Sequence, residues 1–310
     1  MNRTYSTKLI VLIAAIFLLL ISSLPFFLHH QRSDYYRIVI LSDIHYNTAD
    51  TNAVAKRRVI DTINKDNDVS LVAILGDTVA RTGSADEYTA AKQLVSQITK
   101  PLAIIAGNHE FMYDENNSAN KFHSTPERRA AKLEYFKNIF NHPTLYYAQQ
   151  AAGYLLIFLS PDQTDGKYLT AMSNQELHWL KNVLANHLNM PTLIFFHAPL
   201  NGTLETYHRN INTKNFIAMP ESTIQTILAA NPQVKLWISG HTHTQPTNSS
   251  FNSPINIYQN NILNVHNPSM TKKTLWTNSL YLYKDKIVIR TYNHTTGTWD
   301  ESFDRVVNLT

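Results

Sequence analysis

Cysteine is absent from all 310 residues of this chain. Its absence excludes disulfides, four-cysteine zinc sites and thiol nucleophiles. It leaves the compartment open, because a chain without thiols suits either redox environment. Charge is also sparse: Asp, Glu, Lys and Arg make up 16%, for a net charge of +4. No Lys/Arg block stands out, so there is no specific nucleic-acid signal. Internal repeats and low-complexity tracts are missing. Neither a G-x-S-x-G nucleophile elbow nor a G-x-x-x-x-G-K-S/T loop occurs, which removes the support for serine-hydrolase and P-loop chemistry.

The composition that remains is that of a folded chain. A hydrophobic content of 44% supports a large core, and the length suits one large α/β domain or two ordinary ones. The exception is Leu9–Leu28. Twenty residues at a helical rise of about 1.5 Å cover roughly 30 Å, the thickness of a bilayer's hydrocarbon core. Its strictly apolar part, Leu9–Ile21, also fits a signal-peptide core, although no A-x-A-like cleavage site follows. Two readings stay open, an uncleaved transmembrane anchor and a cleaved signal. Arg3 and Lys8 before the segment nearly balance Arg32 and Arg37 after it. The large domain that follows favours a cytoplasmic N-terminus with the rest of the chain outside.

Beyond a polar linker, His29–Tyr36, strand, loop and helix alternate. Helical spacing marks Ala53–Lys65, Asp86–Ile98 (closed by Pro101) and Asn174–Leu188. Ser173 is the expected N-cap of the last, with Glu176 completing a capping box. Tyr154–Leu159 reads as a buried strand. After Gly240 come short strands at Ile262–Val265, Ser279–Tyr283 and Lys286–Tyr292, the last two joined by a Lys284-Asp285 hairpin turn. Such alternation predicts helices covering a mixed sheet. Phe111–Thr125 and Asn201–Pro220 are long irregular segments, of the kind that often serve as lids or binding loops.

Five apolar runs each end in residues of metal-ligand type. Asp43-Ile44-His45 follows Arg37–Ser42, and Gly76-Asp77 follows Val69–Leu75. Gly107-Asn108-His109-Glu110 follows Leu102–Ala106, His197 follows Thr192–Phe196, and Gly240-His241-Thr242-His243 follows Val234–Ser239. Ligands of open α/β sheets bind at the carboxyl ends of strands, so these runs would deliver seven donors to one rim. Oxygen, imidazole and amide donors without sulfur suit Mn, Fe, Zn or Co. The chain's 14 histidines exceed any one site, and His29, His30, His142 and His294 are read as bystanders.

The ordered set D-x-H, G-D, G-N-H-E, H, G-H-x-H resembles the calcineurin-like metallophosphoesterase superfamily, from about Arg37 to about Pro246. The resemblance implies a four-layer αββα sandwich of two mixed sheets flanked by helices. Residues 34–310 would form the catalytic domain and residues 1–33 the anchor or signal segment. One divalent ion would be held by Asp43, His45, Asp77 and His243, and a second by Asp77, Asn108, His197 and His241. Asp77 would bridge them, each carboxylate oxygen taking one ion. His109 would serve as the catalytic acid facing the leaving oxygen, its ring oriented by Glu110, or else Glu110 would be a solvated loop carboxylate. Asn108 and Arg81 would contact the phosphate. Arg81 stands where some family branches carry an arginine. Ala80 replaces the metal-binding tyrosine of purple acid phosphatases, and D-x-H their D-x-G, which excludes a tyrosinate-bound ferric site. Ile105-Ala106 replace the arginine that precedes G-N-H-E in protein Ser/Thr phosphatases.

The expected reaction is direct hydrolysis of small or lipid-linked phosphodiesters or monoesters by a hydroxide bridging the ions. It would occur outside the cytoplasm on a membrane-tethered enzyme, or on a secreted one after signal cleavage. The alternatives are a noncatalytic metal-binding module of the same fold and a nuclease.

Overall fold

The computed structural model describes residues 34–115, 123–259 and 261–309, and Asp34–Thr310 form one compact unit. Leu9–Leu28 lies outside the described residues. Among those described, no helix is long and apolar enough to cross a membrane.

Two mixed six-stranded sheets make up the framework. The first has the order β12-β11-β10-β1-β2-β3. Its members are β1 (Tyr36–Leu41), β2 (Leu71–Ile74), β3 (Leu102–Ile104), β10 (Trp276–Leu282), β11 (Lys286–Asn293) and β12 (Thr298–Asn308). The second runs β4-β5-β6-β7-β9-β8. It contains β4 (Tyr147–Ala151), β5 (Tyr154–Phe158), β6 (Thr192–Phe195), β7 (Val234–Ser239), β8 (Ile257–Tyr258) and β9 (Ile262–His266). Strands β1, β2 and β3 are parallel, as are β5, β6, β7 and β9.

Side chains from both sheets share one core. Ile38, Ile40, Ala73 and Leu280 of the first meet Leu156, Phe158, Phe195 and Ile238 of the second. Strand side chains alternate between faces. The opposite face of the first sheet, with Val39, Val72 and Ile74, therefore packs on α1 (Ala53–Lys65), α2 (Ala85–Val95) and α3 (Pro126–Ile139). Ile157, Ile194 and Trp237 of the second pack on α4 (Asn174–Ala185) and α5 (Glu221–Ala229). The result is helices, sheet, sheet, helices, as the resemblance implies.

Several local expectations need correction. Helix α2 stops at Val95, short of Ile98, and α4 stops at Ala185, short of Leu188. Ser173 does cap α4, its hydroxyl accepting the Glu176 N–H at 3.1 Å. The reciprocal half of the capping box is not made, because the Ser173 N–H goes to Asp162 Oδ1 at 2.5 Å. The Glu176 carboxyl is instead buried beside Asp162. Burial, followed by the neighbouring Asp162, pushes its pKa well above the usual carboxylate range. Helix α3 and strand β12 are elements that the apolar pattern did not mark.

Candidate metal centre and active site

The carboxyl ends of β1, β2, β3, β6 and β7 meet at one rim, three strands coming from one sheet and two from the other. Tight turns hold the donors there. Asp43, His45, Asp77, His241 and His243 all adopt positive φ, between 46° and 63°. This left-handed region is costly for residues with a Cβ and persists where surrounding bonds enforce it. Those bonds are visible. The loop after β1 is zipped to the loop after β2 by Asp43 N–H to Gly76 O (3.2 Å), His45 N–H to Asp77 O (2.8 Å) and Tyr46 N–H to Thr78 O (2.9 Å). Gly76, at φ 86°, passes so close to the backbone of Gly107 that an added Cβ would collide with it.

All seven expected ligands converge. His243 Nε2 lies 3.1 Å from Asp43 Oδ1 and 3.3 Å from His45 Nε2. His197 Nε2 lies 3.2 Å from Asp77 Oδ2, 3.1 Å from Asn108 Oδ1 and 3.1 Å from His241 Nδ1. Asp77 Oδ2 sits between the two groups, 3.7 Å from His45 Nε2 and 3.9 Å from His109 Nε2. Asp77 Oδ1 also accepts the His109 backbone N–H at 2.8 Å, which fixes the orientation of the carboxylate.

The donor set fits divalent cations. A carbonyl only accepts, so a ring nitrogen facing one must carry a proton. His45 Nδ1 faces Ala80 O (3.2 Å), His197 Nδ1 faces Leu75 O (2.7 Å) and His241 Nε2 faces Asn215 O (2.8 Å). In its neutral form each ring keeps a lone pair on its other nitrogen, facing the cluster. A backbone carbonyl holding the far nitrogen in this way orients metal-binding imidazoles. Lone pairs this close repel unless a cation or a proton lies among them. Without metal the proton does so. Burial alone would lower the His197 pKa, but the charge and hydrogen bond of Asp77 outweigh it and raise it to about 9. His243 is likewise raised against burial by Asp43. The other two rings stay neutral: burial and then His109 pull His45 down to about 3, and burial and then His197 pull His241 down to about 4.

Glu110 does neither of the things expected of it. It is fully buried. Its Oε2 accepts the N–H groups of Asp77 (2.9 Å) and Gly107 (2.6 Å), and its Oε1 those of Thr78 (2.7 Å) and Val79 (3.2 Å). The carboxylate thus ties the Asp77 loop to the Asn108 loop. The His109 ring is held instead by the Arg81 carbonyl, which accepts from Nδ1 at 2.6 Å. That leaves Nε2 facing Asp77 and the open rim. The Arg81 guanidinium is exposed and has no ion-pair partner among the described residues.

Sequence reasoning missed two further residues. Lys132 of α3, buried, donates Nζ to Thr82 O (2.6 Å) and Tyr113 O (2.8 Å), clamping the same two loops from outside. Tyr113 packs its ring 4.9 Å from that of His109. Neither carries a motif; a buried lysine is legible only once its partners are known. Both irregular segments reach the centre: Phe111–Thr125 through Tyr113, and 201–220 where Asn215 supplies its carbonyl and the Phe216 ring lies 5.0 Å from that of His241. Within Phe111–Thr125, Tyr113 and His123 form an isolated bridge, and residues 116–122 lie outside the described set. The bystanders His142 and His294 bond to Thr144 and Thr277.

Comparison with known proteins agrees with this fold. The sequence model described as calcineurin-like phosphoesterase matches residues 36–245. No curated protein sequence matches the chain. Among solved structures, a dimetal phosphatase from Danio rerio is similar at TM-score 0.62 and 14% identity, over 89% of this chain and 99% of that one. Purple acid phosphatase PPD1 from yellow lupin (Lupinus luteus) seeds is similar at TM-score 0.61 and 13% identity, over 88% of this chain and 54% of that one. GAP50, the anchor in the inner membrane complex of Plasmodium, is similar at TM-score 0.54 and 12% identity, over 89% of each chain. At these identities the likeness is one of fold.

Proposed function

This chain belongs to the calcineurin-like phosphoesterase family, and on that premise we propose that it hydrolyses small or lipid-linked phosphate esters at the Asp77-centred cluster. The observation that carries this reading is Asp77 Oδ2, flanked by His45 on one side and His197 on the other. Asp43, His45, Asp77 and His243 would hold one divalent cation, and Asp77, Asn108, His197 and His241 a second. Seven donors without sulfur suit Mn, Fe, Zn or Co. A pair of metals is also what the name of the Danio rerio dimetal phosphatase records for that protein. When bound, such cations supply Lewis acidity toward the phosphoryl oxygens and a nucleophilic water at neutral pH.

The chain's own residues do the rest. Glu110 and the zipped turns fix the carboxylates before substrate arrives, so little reorganisation is needed during the reaction. His109, held through Nδ1 by the Arg81 carbonyl, presents Nε2 to the rim. A protonated ring there donates its proton to the departing oxygen. The Asn108 amide and the exposed Arg81 fork offer donors for the remaining phosphate oxygens. A noncatalytic module of the same fold is the less favoured reading, because it has no use for an imidazole aimed outward beside a complete donor set. A nuclease is disfavoured by the lack of a Lys/Arg block in the sequence.

The test is turnover of aryl phosphate monoesters and diesters by the Mn-loaded protein, with His109→Ala beside it. The variant should keep its metal and lose roughly 10²–10⁴-fold in turnover. The loss should be smaller for nitrophenolate, which leaves without a proton. An equal loss for all leaving groups removes His109 from the acid role, and no turnover of any ester by the loaded wild type overturns the reading.

The apolar Leu9–Leu28 supports placing this activity outside the cytoplasm, on a tethered enzyme or on one secreted after cleavage. In cells whose outer barrier has been opened, added protease should digest a tethered domain. Protection until lysis would reverse the proposed topology.

A further inference from the structure

The amide of Asn108 has two unlike ends, and only its oxygen can bind a cation. Asn108 is buried, so its orientation is set by protein groups. On one side Oδ1 faces His197 Nε2 at 3.1 Å. On the other Nδ2 donates to the Tyr113 hydroxyl at 3.2 Å. Tyr113 is itself 6% exposed and rigidly held. Its carbonyl accepts from Lys132 Nζ (2.8 Å) and Ser124 Oγ (3.1 Å), and its ring packs on His109 with centroids 4.9 Å apart.

From this geometry we infer that Tyr113 is a positioning residue for the second cation, acting through the Asn108 amide. The hydroxyl fixes the plane of the amide and the reach of Oδ1 toward His197 and Asp77. A phenol hydroxyl both donates and accepts, so it tolerates either end of the amide. Oδ1 is turned to His197 Nε2, and Tyr113 fixes the position. Tyr113 belongs to none of the motifs that mark the site. It stands five residues beyond Asn108 at the stem of the loop closed by the Tyr113–His123 bridge. Its reach to the centre is the phenol hydroxyl.

The inference rests on the two-cation reading proposed above, and titration calorimetry with Mn²⁺ on the metal-free full-length protein separates the two. Tyr113→Phe keeps the ring and removes the hydroxyl. It should weaken one of the two binding events about 10–100-fold, the usual effect of losing an outer-shell partner, and leave the other unchanged. Asn108→Ala should weaken the same event. The double variant should bind no worse than Asn108→Ala alone, because a residue that acts through another has nothing further to lose. Normal Mn²⁺ affinity in Tyr113→Phe beside a weakened Asn108→Ala overturns the role of Tyr113 and spares the two-cation reading. Two full-strength events in Asn108→Ala overturn both. Losses that add in the double variant show Tyr113 acting independently of Asn108, which also overturns the inference. Metal-free Tyr113→Phe should melt somewhat lower, because the buried Asn108 Nδ2 loses its acceptor, yet still unfold in one cooperative step; loss of both binding events together with that transition would assign the hydroxyl to folding instead.

Discussion

Replacing Glu110 by Gln removes one electron-rich oxygen from the hub that joins the two central loops. The wild-type carboxylate accepts four backbone N–H groups, two on each oxygen. An amide keeps one oxygen and turns the other into an NH₂ group, which only donates. Whichever way it is turned, two of the four N–H groups face a donor. Bulk solvent does not reach the place of the lost acceptor, since the side chain is 0% exposed. At about 1–3 kcal/mol for each buried donor left unpaired, the loss comes to about 2–6 kcal/mol. That is a large part of the roughly 5–15 kcal/mol that holds most domains together. The assay is urea unfolding of the metal-free protein at about pH 8. This lies above the value of about 7 to which burial, then the charge of Asp77, pushes the Glu110 carboxyl. The midpoint should fall while the denaturant slope stays constant, because the surface exposed on unfolding is the same. Glu110→Asp, too short to reach all four donors, should fall between wild type and Glu110→Gln or near the latter. An unchanged midpoint in Glu110→Gln would refute the hub.

Two further outcomes follow from the same geometry. Asp77→Asn should lose more metal than any other single ligand change, since Oδ2 faces both donor groups; two full equivalents by elemental analysis would sink the bridging assignment. His266 supplies a pH test away from the metals. Burial pulls its pKa down to about 3, against a Thr203 hydrogen bond that raises it. Its folded pKa is below the unfolded value, so the stability it contributes is present above about pH 6.5 and is lost as pH falls toward 3, at up to about 1.4 kcal/mol per pH unit. His266→Asn should flatten the slope of unfolding free energy against pH in that window, and identical slopes would exclude the effect.

The ligand set was legible because each donor follows a hydrophobic strand, and strands advertise themselves by composition. Glu110 was not. Its position beside His109 suggested a local partner, yet three of its four donors come from residues 31 to 33 positions earlier. Pairing across two loops leaves no trace in either loop alone. Helix α3 escaped notice because Arg129 and Lys132 occupy inward positions normally held by apolar residues, each repaid by backbone carbonyls. Strand β12 reads as loop because it lies at a sheet edge with mostly polar, exposed side chains. Charged and polar residues are common on such edges, where they discourage pairing with other chains.

The neighbour of β1 on one side is β10, with Ile40 opposite Asn278 and Tyr36 opposite Leu282. The strand that carries Asp43 and His45 at its end is therefore made well before the later of the two strands that flank it. Until residues 276–282 emerge, β1 offers an open hydrogen-bonding edge and half-covered apolar faces, the features that invite aggregation in slow, long-range β topologies. A nascent chain ending near residue 245 would already contain every proposed ligand and still lack the strand that closes β1 into its sheet. Metal acquisition should then wait until residues 276–282 have emerged and paired with β1, wherever the ions are supplied.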